Sequence, residues 1–159
     1  MKWLNHQVLT GVAVYALTDD LLLTACGMAG AIFPDKVEGN PRRGLLSIGW
    51  RSRHRGWSHW LALYLALLFF ILQLGDFSLV SSSGETVVSL KAASVQGMAG
   101  FFCVGALLHI LEDAVCGKVP VFTPNHKMGI KLFSVGSVSE YIFVLVVLLM
   151  IYCLKKWAG

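Results

Sequence analysis

Five apolar runs separated by polar segments set the pattern of this chain. They predict helices near residues 3–17, 21–33, 57–74, 92–115 and 138–154, with polar loops at 34–56 and 117–137. The run at 57–74 is the clearest, because no side chain in residues 60–74 carries a charge. Eighteen residues rise about 27 Å as a helix, close to the hydrocarbon thickness of a bilayer. The pattern is therefore typical of membrane helices.

The first two runs are each short for a membrane span, and Asp19 and Asp20 interrupt them. They predict either a tight helical hairpin with the two aspartates at its tip or one long broken helix. Two adjacent aspartates are costly in the middle of a membrane, which favours the hairpin. The second run is rich in small residues, which suit close packing of membrane helices. Pro34 and Asp35 are predicted to end its helix.

Composition supports a membrane protein. Of the 159 residues, 56% are hydrophobic and 14% are charged, whereas a soluble domain carries about 25% charged residues. The predicted fold class is all-α: one integral membrane domain, a helical bundle of about five transmembrane or half-spanning helices. No segment provides a soluble basic face, so nucleic-acid binding is not predicted. The four cysteines form no Cys-x-x-Cys pair, so neither a disulfide framework nor a thiolate zinc site is expected.

The positive charges predict an orientation in the membrane. With the N-terminus in the cytoplasm, ten of the thirteen lysines and arginines fall on the inner side, in agreement with the positive-inside rule. Lys155 and Lys156, after the last run, count against this orientation. The candidate ligands and acids then all fall at the same, cytoplasmic face: His6, Asp35, His54, His59, His109, Asp113 and Glu140. Because the orientation uses lysines and arginines alone, this convergence indicates a shared site.

His109 and Asp113 are four positions apart, so both side chains lie on one helical face. An imidazole and a carboxylate in that arrangement can bind one metal ion. A hydrogen bond on the helix surface is the alternative explanation. Glu112 points about 100° away and is expected to support the site or to face solvent.

His54 and His59 are five positions apart, which an uninterrupted helix does not place on one face. Gly56 permits a turn between them, and Ser58 could cap the helix that follows. One histidine would then come from the loop and the other from the first turn. The alternative is an interfacial anchor of arginine and tryptophan in which the histidines are incidental.

Three further candidates each have an ordinary alternative. Asp35 is otherwise a turn residue, and His6 is otherwise an N-terminal polar residue. Glu140 is a ligand, a general base, or a first-turn residue that complements the helix dipole.

Four sequence motifs occur in an order that is found in one family. The segment from His54 to His59, His-Arg-Gly-Trp-Ser-His, is similar to a His-Arg-Gly-x-Thr/Ser-His motif. The segment from Leu108 to Asp113 is similar to a Ser-His-x-x-x-Asp motif, with leucine in place of serine. A Gly-Ser-x-x-Glu element ends at Glu140.

The remaining motif departs from its pattern. The segment from Phe33 to Asp35 is similar to the start of a Leu-Pro-Asp-x-Asp-His motif, but Val37 replaces the second acid. A second metal ion would therefore need Glu38 as a substitute ligand. From His6 to Glu140 the chain thus resembles the YdjM-like family of membrane-bound metal-dependent hydrolases. The resemblance implies an integral membrane protein with a metal site, located in a bacterial inner membrane.

We therefore expect a membrane-embedded metallohydrolase that acts on a phosphoester of a lipid or another small membrane-associated molecule. The expected cofactor is one or two divalent ions, Zn²⁺ first and Mn or Fe as alternatives. The expected metal ligands are His6, Asp35, His54, His59, His109 and Asp113. Glu140 or Glu112 would serve as general base, and Arg55, with Arg53 or Arg51, would hold an anionic group.

Two other functions remain open at this point. One is a non-enzymatic membrane protein that binds or moves a metal ion or supports the envelope. The other is a structural bundle whose histidines are interfacial and bind nothing. No oligomeric state is predicted.

Overall fold

The computed structural model describes residues 1–39, 55–74, 80–82, 85–87 and 95–158. Its helices are α1 (Trp3–Thr18), α2 (Leu21–Glu38), α3 (Leu61–Leu74), α4 (Val95–Cys116) and α5 (Val138–Ala158), with a 3-10 turn at Trp57–His59. Two short antiparallel hairpins pair β1 (Val80–Ser82) with β2 (Glu85–Val87) and β3 (Val119–Pro120) with β4 (Lys127–Met128). The predicted all-α fold with five helices is confirmed for the described part of the chain.

Two of these helices are long and apolar enough to cross a membrane. They are α4, with 22 residues, and α5, whose most apolar stretch has a mean hydropathy of 2.1. The side chains of α5 are largely exposed, including Leu145, Leu149 and Leu154. By contrast, α3 has 14 residues and rises about 21 Å, which is shorter than a hydrocarbon core of about 30 Å. The described chain thus contains two helices that are both long and apolar enough to span a membrane, and three that are shorter or less apolar.

The turn between α1 and α2 carries the two adjacent aspartates. Asp19 ends α1 in the left-handed backbone region, with φ of 50°. Asp20 caps α2, because its Oδ1 accepts hydrogen bonds from Leu22 N (2.7 Å) and Leu23 N (3.0 Å). These two N–H groups have no partner within the helix itself. The hairpin interpretation therefore describes this part of the structure, and a single broken helix does not.

Helix α2 does not end at Pro34, as the sequence pattern predicts, but continues to Glu38. A proline inside a helix removes one backbone N–H and crowds the preceding turn, so the extra turn needs support from outside the helix. Glu38 provides it, because its carboxylate accepts hydrogen bonds from Arg55 N (3.0 Å) and Gly56 N (3.2 Å). The added turn places Asp35 and Glu38 three positions apart on one helix face.

Helix α3 begins at Leu61, later than the apolar run predicts. The residues before it form the separate 3-10 turn. Ser58, a candidate cap for the helix, instead donates its hydroxyl to Glu38. As a result His59 turns into the bundle and is fully buried.

Helices α2 and α4 run in the same direction and meet backbone to backbone. A Cβ added at Gly30 would lie 2.0 Å from Phe102 O, and one at Gly105 would lie 1.9 Å from Gly27 O. Only glycine fits at such separations, and small residues of this kind allow membrane helices to pack closely. This close approach brings the last turns of both helices together.

Alternating helix directions bring five segments to one end of the bundle: the starts of α1 and α5, the ends of α2 and α4, and the 3-10 turn. The backbone N–H of Lys2 donates to Glu140 Oε1 at 2.9 Å, which joins the starts of α1 and α5. At the opposite end, an ion pair between Asp19 and Lys155 joins the α1–α2 turn to α5. The helix ends that the sequence predicts to share one face therefore meet.

Candidate metal centre

Four side chains from three segments place one donor atom each within 4.8 Å of one another: Asp35, His59, His109 and Asp113. We call these four residues the donor cluster. His59 Nε2 lies 3.2 Å from His109 Nε2 and 3.2 Å from Asp35 Oδ1. Asp113 Oδ2 lies 3.7 Å from His59 Nε2 and 3.9 Å from His109 Nε2. Helix α2, the 3-10 turn and helix α4 thus converge on one point.

The spacing and chemistry of the donor cluster fit a divalent metal ion. A tetrahedral zinc ion with bonds of about 2.0–2.1 Å separates its ligand atoms by about 3.3 Å, close to the 3.2–3.9 Å separations that involve His59 and His109. Mixed nitrogen and oxygen donors suit Zn, Mn or Fe. Both Nε2 lone pairs would be satisfied by the same ion.

Burial makes partners for these groups necessary. His59 and His109 are fully buried, and Asp113 is 2% exposed. Buried ionisable groups cost free energy unless they are paired or bind a metal. The Asp35 side chain, 14% exposed, is the member of the cluster that reaches towards the surface.

Glu38 sets the orientation of the His59 ring. Its Oε1 lies 3.1 Å from His59 Nδ1, and Ser58 Oγ, which donates to the same Glu38 oxygen, lies 2.9 Å from Nδ1. In the tautomer whose proton is on Nδ1, the Nε2 lone pair points into the cluster. Burial lowers the pKa of His59, but hydrogen bonds to Asp35 and Glu38 outweigh it and hold this pKa above its ordinary value of 6.5. The imidazole is therefore well positioned for a metal but also holds its proton firmly when no metal is bound.

Two positive groups contact the Asp113 carboxylate. Arg55 Nη2 donates to Oδ2 at 2.8 Å, and the amino group of Met1 donates to Oδ1 at 2.6 Å. The Arg55 guanidinium packs against Gly117, where an added Cβ would lie 2.1 Å from Nη1. These contacts offset the charge of a carboxylate that has almost no access to water.

His6 lies beside the cluster on α1. Its ring lies against that of His109, with the centroids 4.0 Å apart and the ring planes tilted by 36°. Its Nδ1 hydrogen-bonds to Glu112. Its Nε2 lies 3.4 Å from Asp113 Oδ1 but forms no hydrogen bond with any described residue. His6 thus offers a further imidazole nitrogen at the edge of the cluster, and Glu112 holds the ring.

Asp35 is oriented by Trp3. The indole Nε1 donates to Asp35 Oδ2 at 2.8 Å, which leaves Oδ1 directed at the two histidines. Lys36 Nζ lies 4.5 Å from the centroid of the same indole. The sequence contains no signal for the Trp3–Asp35 bond, because the partners are far apart in the chain and belong to different helices.

Glu140 is fully buried but contacts the N-terminal segment. Its Oε1 accepts from Lys2 N at 2.9 Å and from Asn5 Nδ2 at 2.5 Å, and its Oε2 accepts from Gly136 N at 2.6 Å. None of these hydrogen bonds reaches the donor cluster. They tie the start of α5 to the start of α1.

The structure brings most of the predicted site residues into one contact network: His6, Asp35, Arg55, His59, His109, Glu112 and Asp113. Glu140 lies outside this network. His54, Arg51 and Arg53 lie outside the described residues. The sequence analysis missed the role of Glu38 in orienting His59. The available signal is that Glu38 lies three positions after Asp35, so both acids share a face if the helix continues past Pro34.

The whole chain, residues 1–159, matches the family model described as YdjM inner membrane protein. No curated protein and no solved structure matches the chain. The two helices of spanning length agree with a family of inner membrane proteins.

Proposed function

We propose that this chain, which belongs to the YdjM inner membrane protein family, is a membrane-embedded metal-dependent hydrolase. The proposed substrate is a phosphoester of a lipid or of another membrane-associated molecule. The proposed location is a bacterial inner membrane, with the donor cluster on the cytoplasmic side. The observation that supports the proposal is the set of four donor atoms within 4.8 Å at one end of the bundle.

In this proposal, Asp35, His59, His109 and Asp113 hold the ion. Two nitrogen and two oxygen donors favour Zn²⁺, with Mn or Fe as alternatives. A bound ion of this kind acts as a Lewis acid that activates water and polarises the scissile group. Asp35 and Arg55, whose side chains are 14% and 16% exposed, mark the side from which a substrate would approach.

His6 and Glu112 complete the proposed chemistry. Glu112 fixes the Nδ1 proton of His6, so that His6 Nε2 is available to accept a proton from the attacking water. If the site holds two ions, His6 and Asp113 would be available as ligands for the second. Glu140, with three hydrogen bonds to other groups, is assigned a structural role.

Arg55 is the proposed contact for the phosphate. A guanidinium carries five N–H donors in a plane that matches phosphate oxygens. One of them is engaged with Asp113, and Arg55 Nε has no hydrogen-bond partner among the described residues. A phosphate bound by the remaining donors would lie next to the donor cluster.

A second candidate function is non-enzymatic metal binding, in a protein that binds or moves an ion or supports the envelope. The observation that favours it is the number of protein donors. Four protein ligands are typical of closed structural zinc sites, whereas catalytic zinc usually has three and a water. An exchangeable coordination position distinguishes the two functions.

Turnover on defined lipids tests the enzyme. The purified full chain would be reconstituted in liposomes of phosphatidylglycerol and phosphatidylethanolamine, loaded with Zn²⁺, Mn²⁺ or Fe²⁺, and its products measured by mass spectrometry. We expect diacylglycerol and the phosphorylated headgroup from the wild type and from His126→Ala, which changes an exposed loop histidine. His59→Ala and chelated wild type should be inactive. A metal-loaded wild type that hydrolyses neither these lipids nor soluble phosphoesters would favour the non-enzymatic function.

A further inference from the structure

The loop between α4 and α5, which its sequence predicts to be polar, exposes large apolar side chains. Five of them are between 48% and 72% exposed: Phe122, Met128, Ile130, Leu132 and Val135. Single exposed apolar residues are ordinary, but a group of them in one short loop marks a contact surface.

Backbone hydrogen bonds hold part of this loop in place. Ile130 N donates to Ala114 O, and Leu132 N donates to Val115 O, both at 2.8 Å. These bonds satisfy carbonyls at the end of α4 that lack a partner within the helix. Phe133, the next residue, is buried in the bundle. Ile130 and Leu132 are therefore fixed with their side chains facing outwards.

The loop is attached directly beside the donor cluster. Trp60 Nε1 donates to Phe122 O at 3.2 Å, and Trp60 is the residue after His59. The attachment to Ala114 comes immediately after Asp113 in α4. Trp57, 68% exposed, packs edge-to-face on Trp60 and extends the apolar surface. A molecule that binds this surface would lie next to the cluster.

The charge of the loop is entirely positive. Residues 117–137 contain Lys118, Lys127 and Lys131 and no aspartate or glutamate. Lys118 and Lys131 are exposed among the apolar side chains. Lysines interleaved with exposed aromatic and aliphatic residues are typical of segments that lie at an anionic membrane surface. We call this surface the collar: Trp57, Lys118, Phe122, Met128, Ile130, Lys131, Leu132 and Val135.

The length of α4 places the collar at headgroup depth. The 22 residues of α4 rise about 33 Å, which matches a hydrocarbon core of about 30 Å. The loop that follows Cys116 then starts where the hydrocarbon ends. Tryptophan side chains are enriched at that level of a membrane.

We propose that the collar lies in the headgroup layer and binds an anionic phospholipid of the surrounding leaflet. Lys118 and Lys131 contact the headgroup, while Phe122, Ile130 and Leu132 lie against the upper part of the lipid. The collar would thus hold an anionic lipid beside the donor cluster. The identification of that lipid as substrate rests on the proposed function, whereas its binding does not require turnover.

Lipid retention tests the charged part of the collar. Native mass spectrometry of the full chain in mixed micelles would compare bound phosphatidylglycerol with phosphatidylcholine of the same acyl chains. Each lysine near an anionic surface contributes about a fivefold preference, so Lys118→Gln with Lys131→Gln should lower the preference for phosphatidylglycerol about 25-fold. The matched control is Lys155→Gln with Lys156→Gln, which removes the same charge at the other end of the bundle. Its loss of preference should be clearly smaller, because the difference between the two pairs measures what the collar adds to the general attraction of lysines for anionic lipid.

Fluorescence quenching tests the depth of the collar. Phe122→Trp adds an indole at an exposed position. Its fluorescence is obtained by subtracting the fluorescence of the wild type, which contains five tryptophans. Lipids brominated near the top of the acyl chain should quench this added signal strongly, and water-soluble acrylamide should quench it weakly. The reverse result would overturn the placement of the collar.

Two further results would overturn lipid selection: equal retention of both lipids by the wild type, or equal loss in both lysine pairs. Metal content measured on the same samples separates this inference from the proposed function. A wild type that prefers phosphatidylglycerol but binds no metal would contradict the hydrolase and leave the collar intact. A wild type that binds metal but has no lipid preference would contradict the collar and leave the proposed metal site intact.

Discussion

His59 Nε2 lies 3.2 Å from His109 Nε2, although the two residues come from different elements and are 50 positions apart. Glu38 holds the far side of the His59 ring through Nδ1. Two imidazole nitrogens thus face one point, together with an oxygen from each of two carboxylates. A divalent ion at that point would satisfy all four donors at once.

Glu38 should control metal affinity without binding the metal. Glu38→Gln removes the charged acceptor of the His59 Nδ1 proton, and partners of this kind are typically worth 10–100-fold in metal affinity. We expect a loss of about that size in competition with a chelator. Asp19→Asn, which changes an exposed acid at the opposite end of the bundle, should bind like the wild type. Equal affinity in both variants would show that Glu38 does not orient the ligand.

Metal affinity should fall as pH falls through a range above 6.5, the ordinary pKa of histidine. A metal binds only the neutral imidazole, and the pKa of His59 in the metal-free protein is raised. The same raised pKa stabilises the metal-free fold at low pH, and this contribution is lost as pH rises through it. Apparent affinity would be measured by competition from pH 5 to 8, a range chosen to cover the transition. Glu38→Gln should shift the transition to lower pH, and a pH-independent affinity would contradict the assignment of His59.

The close contact between α2 and α4 should tolerate no side chain. Gly30→Ala would place a Cβ 2.0 Å from Phe102 O, so the helices would have to move apart and the cluster would lose its geometry. We expect the free energy of unfolding to fall by about 1–3 kcal/mol and metal binding to weaken. Gly100→Ala is the matched control on α4, because the nearest atom to its Cβ is 3.9 Å away. Equal melting temperatures in detergent for the two variants would refute this role of the glycine contact.

Glu140 should act in stability and not in metal binding. Glu140→Gln presents an amide donor where Lys2, Asn5 and Gly136 also donate. Leaving such a buried group unsatisfied costs about 1–3 kcal/mol, which a thermal melt would detect, while metal content stays at the wild-type level. Ser139→Ala, at the exposed neighbouring position, is the control. An unchanged melt with lost activity or lost metal would instead identify Glu140 as a base or ligand.

Sequence periodicity predicts much of this arrangement. The apolar runs place the helices, and the alternation of helix directions brings the correct ends together. His109 and Asp113 share a face because helical spacing requires it. Asp35 and His59 join them once the helix ends meet.

The remaining parts depend on contacts that no local pattern encodes. Proline normally ends a helix, but tertiary hydrogen bonds to Glu38 carry α2 one turn further. The short helix–helix distance depends on the registration of Gly27 and Gly30 against α4. The Trp3–Asp35 bond likewise depends on how α1 and α2 pack. Each of these contacts joins two different helices or segments, so the pattern of apolar and polar residues within one segment does not predict it.

The central claim is that the donor cluster holds a divalent metal ion, and elemental analysis of the purified full chain tests it most directly. The samples are the wild type, His59→Ala, His109→Ala and the control His126→Ala, each after reconstitution with Zn²⁺, Mn²⁺ or Fe²⁺. We predict about one or two equivalents in the wild type and the control and loss in both cluster variants. A wild type that binds no metal, or cluster variants with wild-type metal content, would contradict the claim and leave the histidines as structural residues of the bundle.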